Sequence, residues 1–224
     1  MKLLLSLNQM KKNLFLVLAS CSVIFLQGCL EITENVAFNS DGSGQYSLSL
    51  TATGLAPALE TMLGEDQLSE SIWLQVLDSS IQAQVKKVRQ TPGISDVSLD
   101  VENYSYTLAY HFDHVHALNQ TLDTGAEGTD SVFSFTKGMV SRKGLPLPQP
   151  EDQESASFEN EVSNLLIADG LFRAEYALPG KVIDQSNPDA YVREGKKTVV
   201  MQASLEDLIQ GNATVETTIR FKKR

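Results

Sequence analysis

Alternation constrains this chain most. From residue 31 onward the apolar side chains repeatedly take every second position: Ile32, Val36 and Phe38, then Tyr46, Leu48, Leu50 and Ala52 with Gln45, Ser47, Ser49 and Thr51 between them. A period of two sends alternate side chains to opposite faces, so these runs read as strands with one buried and one wet face. The link between them, FNSDGSG, places Asn39, Asp41, Ser43 and Gly44 where a calcium loop of the EF-hand type puts its ligands and its glycine. Such a loop needs a bidentate glutamate at its twelfth position and a helix on each side. Here that position, counted from Asn39, is Leu50, and both flanks alternate. The stretch therefore reads as a hairpin turn, in which Asp and Gly accept the positive φ angles of a tight connection.

The period changes between Leu55 and Gln90. Leu68, Ile72, Trp73, Val76, Leu77, Ile81, Val85 and Val88 recur at three and four, which predicts a long amphipathic helix ended by Pro92-Gly93. Trp73 lies in that apolar stripe as a core side chain. Alternation returns in a second hairpin, with Val97, Leu99 and Val101 on one strand and Tyr104, Tyr106, Leu108, Tyr110 and Phe112 on the next. Asp113 is expected to cap a short helix running to Leu122. Val132, Phe133 and Phe135 before Lys137-Gly138, with Met139-Val140 after it, suggest a third hairpin. Residues 144–155 carry three prolines and several acids and read as a loop, followed by a helix from about Phe158 to Ala168. Phe172 to Leu178, Thr198 to Met201 and Val215 to Phe221 read as strands, with a helical turn at Leu205. The expected class is α+β: a mainly antiparallel sheet of hairpins packed against one long amphipathic helix and shorter helices.

The first 28 residues stand outside this pattern. Lys11 and Lys12, the apolar run LFLVLASCSVIFL from Leu14 to Leu26, and small residues after it have the form of an export signal, with Met10 as a possible start. The signal ends in Leu26-Gln27-Gly28-Cys29, the pattern of a bacterial lipobox, in which cleavage after Gly28 leaves Cys29 to carry the lipid. This predicts a signal peptide over 1–28 and one lipid-anchored domain over 29–224. Cys21 leaves with the signal and Cys29 is acylated, so no thiol remains for a disulfide and stability has to come from a core. About 195 residues suffice for one.

Processing also shifts the charge. Three of the 18 basic residues lie in the signal and all 28 acidic ones follow it, leaving 15 against 28, a net charge near −13. Nucleic acid and anionic headgroups repel such a surface. Membrane attachment then falls to the acyl chains, at ~0.8 kcal/mol per buried methylene. Leu30 in place of an aspartate after the cysteine favours the outer membrane if the cell is Gram-negative.

The lipobox cysteine, the strand into FNSDGSGQYSLSL, and ALPGKVIDQSN before VVMQASLEDLIQGNATVETTIRF resemble the LppM-type bacterial lipoprotein domain. That resemblance implies an envelope lipoprotein of largely uncharacterised kind, with lipid binding suggested for some members. It implies no catalytic residues.

Few constellations suggest chemistry. His111, Asp113, His114 and His116 fall within HFDHVH and are the candidate ligands of a zinc or copper site. A helix cap at Asp113 would send His114 and His116 to different faces. Ser134-Phe135-Thr136-Lys137 matches the S-x-x-K pattern of penicillin-interacting enzymes, but on a strand residues three apart point to opposite faces. Gly42-Ser43-Gly44 lacks the spacing of a nucleophile elbow. The basic tail Arg220, Lys222, Lys223 and Arg224 reads as solvation of a strand end. With no convergent catalytic set and no cofactor signature, the leading expectation is a non-enzymatic envelope domain that contacts a protein or an envelope component. One rival is a lipid or hydrophobic-ligand module in which Tyr104, Tyr106, Tyr110 and the Trp73 face line a cavity. The other is a metal-dependent hydrolase built on the histidine cluster.

Overall fold

The alternating runs form strands, and the computed structural model describes residues 30–52, 72–102, 105–122, 131–144 and 170–222, with the side chains of the first helix from residue 79 on. In chain order the elements are β1 (Glu31–Phe38), β2 (Gly44–Thr51), α1 (Ile72–Gln90), β3 (Ile94–Glu102), β4 (Ser105–Phe112), α2 (Val115–Leu122), β5 (Phe133–Thr136) and β6 (Met139–Arg142). They continue with β7 (Leu171–Ala177), β8 (Lys181–Gln185), β9 (Tyr191–Val192), β10 (Thr198–Ser204), α3 (Leu205–Gln210) and β11 (Thr217–Lys222).

Two sheets result. The larger has seven strands in the order β3-β4-β2-β1-β7-β10-β9, and the smaller has four in the order β5-β6-β11-β8. Hairpins build most of the large sheet, but its centre is a parallel pair, β1 beside β7, with Glu31 opposite Leu171 and Ala37 opposite Ala177. The strand nearest the start of the domain is thereby fixed by a segment about 140 residues away, a non-local contact of the kind that makes folding slow.

Register decides what lies inside. One inward rung reads Tyr110, Tyr46, Val36, Tyr176 and Val199 across five strands. The next reads Leu108, Leu48, Glu34, Ala174 and Met201. Phe133, Val140, Ile219 and Phe221 of the small sheet join the same buried cluster. Phe38 sits between them, its ring 6.0 Å from both Phe112 and Phe133 in edge-on contact. Such aromatic pairs add ~0.5–1.5 kcal/mol beyond the area they bury.

The α+β expectation, with one long amphipathic helix laid across a single sheet of hairpins, is corrected. The described residues form a mostly β fold of two sheets, with three helices beside them. The helical period is real, but among its described side chains α1 reaches the core through Val85 and Val88, with Ile81 half-buried, and its main neighbour is the edge strand β3. The sheet's buried face is instead shared with the small sheet. Period-two patterns at 132–142 and 215–221 mark strands but carry no sign of which sheet a strand joins, and β8 was not read as a strand at all; that is where the expectation failed. The proline-rich loop, the helix expected over Phe158 to Ala168, Tyr104 and the Trp73 side chain lie outside the described residues.

Local signals fared better at the ends of elements. Ser204 caps α3, its Oγ accepting from the Asp207 N–H at 3.0 Å, and Gly211 closes the helix at φ 73°. At α2 the cap is His114 and not Asp113: the Ala117 N–H donates to His114 Nδ1 at 2.9 Å. Asp113 lies one residue too early, its side chain packed beside Gly93.

Candidate functional site

The residues singled out in the sequence do not converge. Gly28 and Cys29 lie outside the described residues, of which Leu30, directly before β1, is the first. Asn39, Asp41 and Ser43 satisfy one another: Asp41 Oδ1 accepts from the N–H and the hydroxyl of Ser43, at 3.1 and 2.7 Å, and the Asn39 amide donates to Ser43 Oγ at 2.9 Å. Gly42, at φ 90°, completes the turn. The FNSDGSG stretch is a turn.

His114 is used as a cap, His116 bonds Gln120 at 3.2 Å one helical turn on, and His111 points away from both, on the outer face of the large sheet. Among the described residues no three His, Cys, Asp or Glu side chains stand close enough to hold a metal ion. Ser134 is exposed on β5 while Lys137 lies in the following turn. The Tyr110 side chain is packed in the core: its ring stacks on Tyr46 at 5.1 Å and its hydroxyl bonds Thr121 at 2.6 Å.

The structure adds a buried polar network that sequence reasoning missed. Arg142 of the small sheet, 1% exposed, donates from Nε to Glu34 Oε2 at 2.9 Å, and Glu34 is 3% exposed at the centre of the large sheet's inner face. The Tyr176 hydroxyl donates to the same carboxylate oxygen at 2.7 Å, and that of Tyr46 to the other at 3.4 Å. The Arg142 guanidinium lies 5.8 Å from the ring centroids of both Phe133 and Phe172. Burial works against the charge on Arg142, but the neighbouring carboxylate outweighs it and keeps the guanidinium protonated. Burial first, and then the Glu34 charge, push the hydroxyls of Tyr46 and Tyr176 well above the usual tyrosine range. The signal was present: Glu34 falls in phase with Val36 and Phe38, and Arg142 in phase with Val140. A lone charge on the apolar phase of a strand is expensive unless paired, so two of them predict a pair. Closed off from solvent, this network is a tie between sheets and not a reaction centre.

The open chemistry lies on the other face of the large sheet. From β3 to β7 its outward rungs are polar or small: Ser95, His111, Gln45, Ala37, Ala177 on one, continued by Thr198, and Ser98, Ala109, Ser47, Asn35, Glu175 on the next, which Val200 and Tyr191 continue on β10 and β9. A groove of about 520 Å³ runs across these strands. Its floor is Ala37, Ala109, Ala177, Ser47 and Asn35, the amide of Asn35 reaching the Ser47 hydroxyl at 3.3 Å.

Two charged ends bound it. At one end a bulge between Ser95 and Ser98 holds Asp96 at φ 53°, and Asp96 Oδ2 lies 3.2 Å from His111 Nδ1. The far imidazole nitrogen meets the Gln45 amide at 2.6 Å. At the other end two guanidiniums share one carboxylate oxygen, with Arg173 at 2.6 Å and Arg193 at 2.7 Å from Glu175 Oε1. Partial burial raises the Glu175 carboxyl, but the hydrogen bonds from Arg193 and Arg173 prevail and hold it below its ordinary value. That trio therefore keeps one net positive charge. The whole groove was hidden from pattern reading because the wet face of each strand looked like unremarkable solvation.

Among the described residues no helix is long and apolar enough to cross a membrane. No protein-family model matches the chain, and no curated protein does. Among solved structures the fold bears a distant likeness to the folded domain of the Mycobacterium tuberculosis LppM protein, with 11% sequence identity, a TM-score of 0.45, and a match covering 88% of this chain and 92% of that one.

Proposed function

We propose that the chain is a lipid-anchored lipoprotein of a bacterial cell envelope, and that its folded domain is a non-catalytic binding module whose recognition surface is the groove on the outer face of the large sheet. The lipobox ending at Cys29 supports the anchor. The groove carries the binding reading: hydrogen-bonding side chains from several strands face solvent there around a floor of small residues. β1 links the two halves of the proposal. It begins two residues after Cys29, and its groove residues Asn35 and Ala37 lie roughly 13–20 Å further along the strand. A site at that reach serves a ligand outside the bilayer better than an acyl chain within it. The hydrophobic-ligand reading has less support, since Tyr110, expected to line its cavity, is packed in the core.

The test of the anchor is fractionation of cells fed labelled fatty acid, comparing native protein with Cys29→Ser. Native protein is expected in the membrane fraction carrying label, and Cys29→Ser as unlabelled, uncleaved precursor. Native protein retained in membranes without label would replace the lipoprotein with a simple signal anchor.

A further inference from the structure

The groove is dipolar, and its length selects among dipolar ligands. Its acidic end, Asp96 with His111, sits on β3 and β4, whereas its cationic end is Arg193, just beyond β9, held over β7 by Glu175, which Arg173 pairs from outside the groove lining. From β4 across β2 and β1 to β7 is three strand spacings, about 14 Å at ~4.8 Å each. A single amino acid or a phospholipid headgroup carries its two charges much closer together than this. An extended peptide advances ~3.4 Å per residue, so about four residues bridge the distance.

The floor matches such a chain. Ala37, Ala109 and Ala177 project only a methyl group and let a backbone lie close, while Asn35 and Ser47 between them offer both donors and acceptors. The ends are available as well. Arg193 and Asp96 keep 45% and 76% of their side-chain surface exposed, so each has capacity beyond its present partner. A bulge is a common device for re-aiming a side chain at the rim of a site, and here it puts Asp96 over the groove.

We propose that the groove binds a short, extended, unblocked peptide of about four residues, its terminal carboxylate on Arg193 and its terminal ammonium on Asp96. This rests on the groove being the recognition surface, but its test is independent of the anchor. Charge-assisted hydrogen bonds at both ends supply the orientation, and the polar floor reads backbone and not side chains. The site is therefore selective for free termini and for length, and tolerant of sequence.

The probe is tetra-alanine, titrated by calorimetry into the full chain in detergent, beside its N-acetylated and C-amidated forms and di-alanine. Free tetra-alanine is expected to bind, with at least tenfold weaker binding for di-alanine and for either blocked form. Arg193→Gln is expected to erase the discrimination against the C-amide while leaving that against the N-acetyl form. Asp96→Asn is expected to do the reverse. Both positions are exposed, so neither substitution threatens the fold. Absence of binding by free tetra-alanine at millimolar concentration, equal binding of the blocked peptides, or unchanged discrimination in both variants would each overturn the proposal. Any of these would leave the fatty-acid labelling result at Cys29 standing on its own.

Discussion

Arg142→Met isolates the tie between the two sheets. The substitution keeps an unbranched stem of similar length between Phe133 and Phe172 and removes only the charged fork. It leaves the Glu34 carboxylate in place, 3% exposed, with the hydroxyls of Tyr176 and Tyr46 as its donors. Removing one partner of a buried pair costs ~3–5 kcal/mol. The two tyrosines still hydrogen-bond the carboxylate, which places the loss at the lower end, about 3 kcal/mol. For a domain of this size that corresponds to roughly 6–12 °C in Tm. Glu34→Leu is expected to cost a similar amount, because it strands the guanidinium. The double variant Glu34→Leu/Arg142→Met strands neither charge but leaves the buried hydroxyls of Tyr176 and Tyr46 without their acceptor, so it is expected about 2 kcal/mol below native, well short of the summed single losses. Urea unfolding of the four proteins at neutral pH gives the coupling energy directly. A loss below 1 kcal/mol in Arg142→Met, or single losses that simply add in the double variant, would refute the network as an energetic unit.

Further expectations concern the turn, a sheet face and alkaline pH. Gly44→Val is expected to unfold the domain or cost more than about 3 kcal/mol, since a Cβ there would meet the Ala37 carbonyl oxygen and the Phe112 ring; near-native thermal stability would mean the hairpin is drawn too tight. Leu48→Asp is expected to cost about 2 kcal/mol by circular dichroism melts, less than at a fully buried position because Leu48 packs on the core while half-exposed; no loss would reverse the faces assigned to β2. Burial, the largest cause in each case, raises the hydroxyl pKa of Tyr46, Tyr110 and Tyr176 above the ordinary value. A raised folded value keeps its stabilisation below the unfolded tyrosine pKa of about 10 and loses it as pH climbs from there, by up to ~1.4 kcal/mol per pH unit per tyrosine. Urea midpoints should be flat from pH 7 to about 9.5 and fall beyond, whereas tyrosinate absorbance rising near pH 10 in the folded protein at all three positions would contradict this.

How much of this was legible beforehand depends on the range of the information. Strand alternation is local, and every run read as a strand in the described residues is one, as is the turn at Asp41 to Gly44, although the short β8 and β9 were not read. Which strands pair is not local. Nothing in the alternation of LAYHF or of RAEYA says that β7 lies parallel to β1, or that β5, β6, β8 and β11 leave the large sheet for a second one. The helical stripe from Leu68 to Val88 announced burial correctly at Val85 and Val88 but not the partner, which is an edge strand. The groove was less legible again: Asn35, Ser47, Ala109 and Glu175 lie far apart in sequence and meet only through register. Glu34 and Arg142 were the missed opportunity, because their phase was visible without any structure.

β1 has one more consequence, and it is mechanical. The strand that follows the proposed attachment point is not an edge of its sheet. It is hydrogen-bonded on both sides, to β2 across eight residue pairs and to β7 across seven. Tension applied at Leu30 therefore runs along the strand axis and loads both ladders in shear, all bonds at once, where a peripheral strand would peel one bond at a time. A domain tethered this way resists being unravelled from its point of attachment.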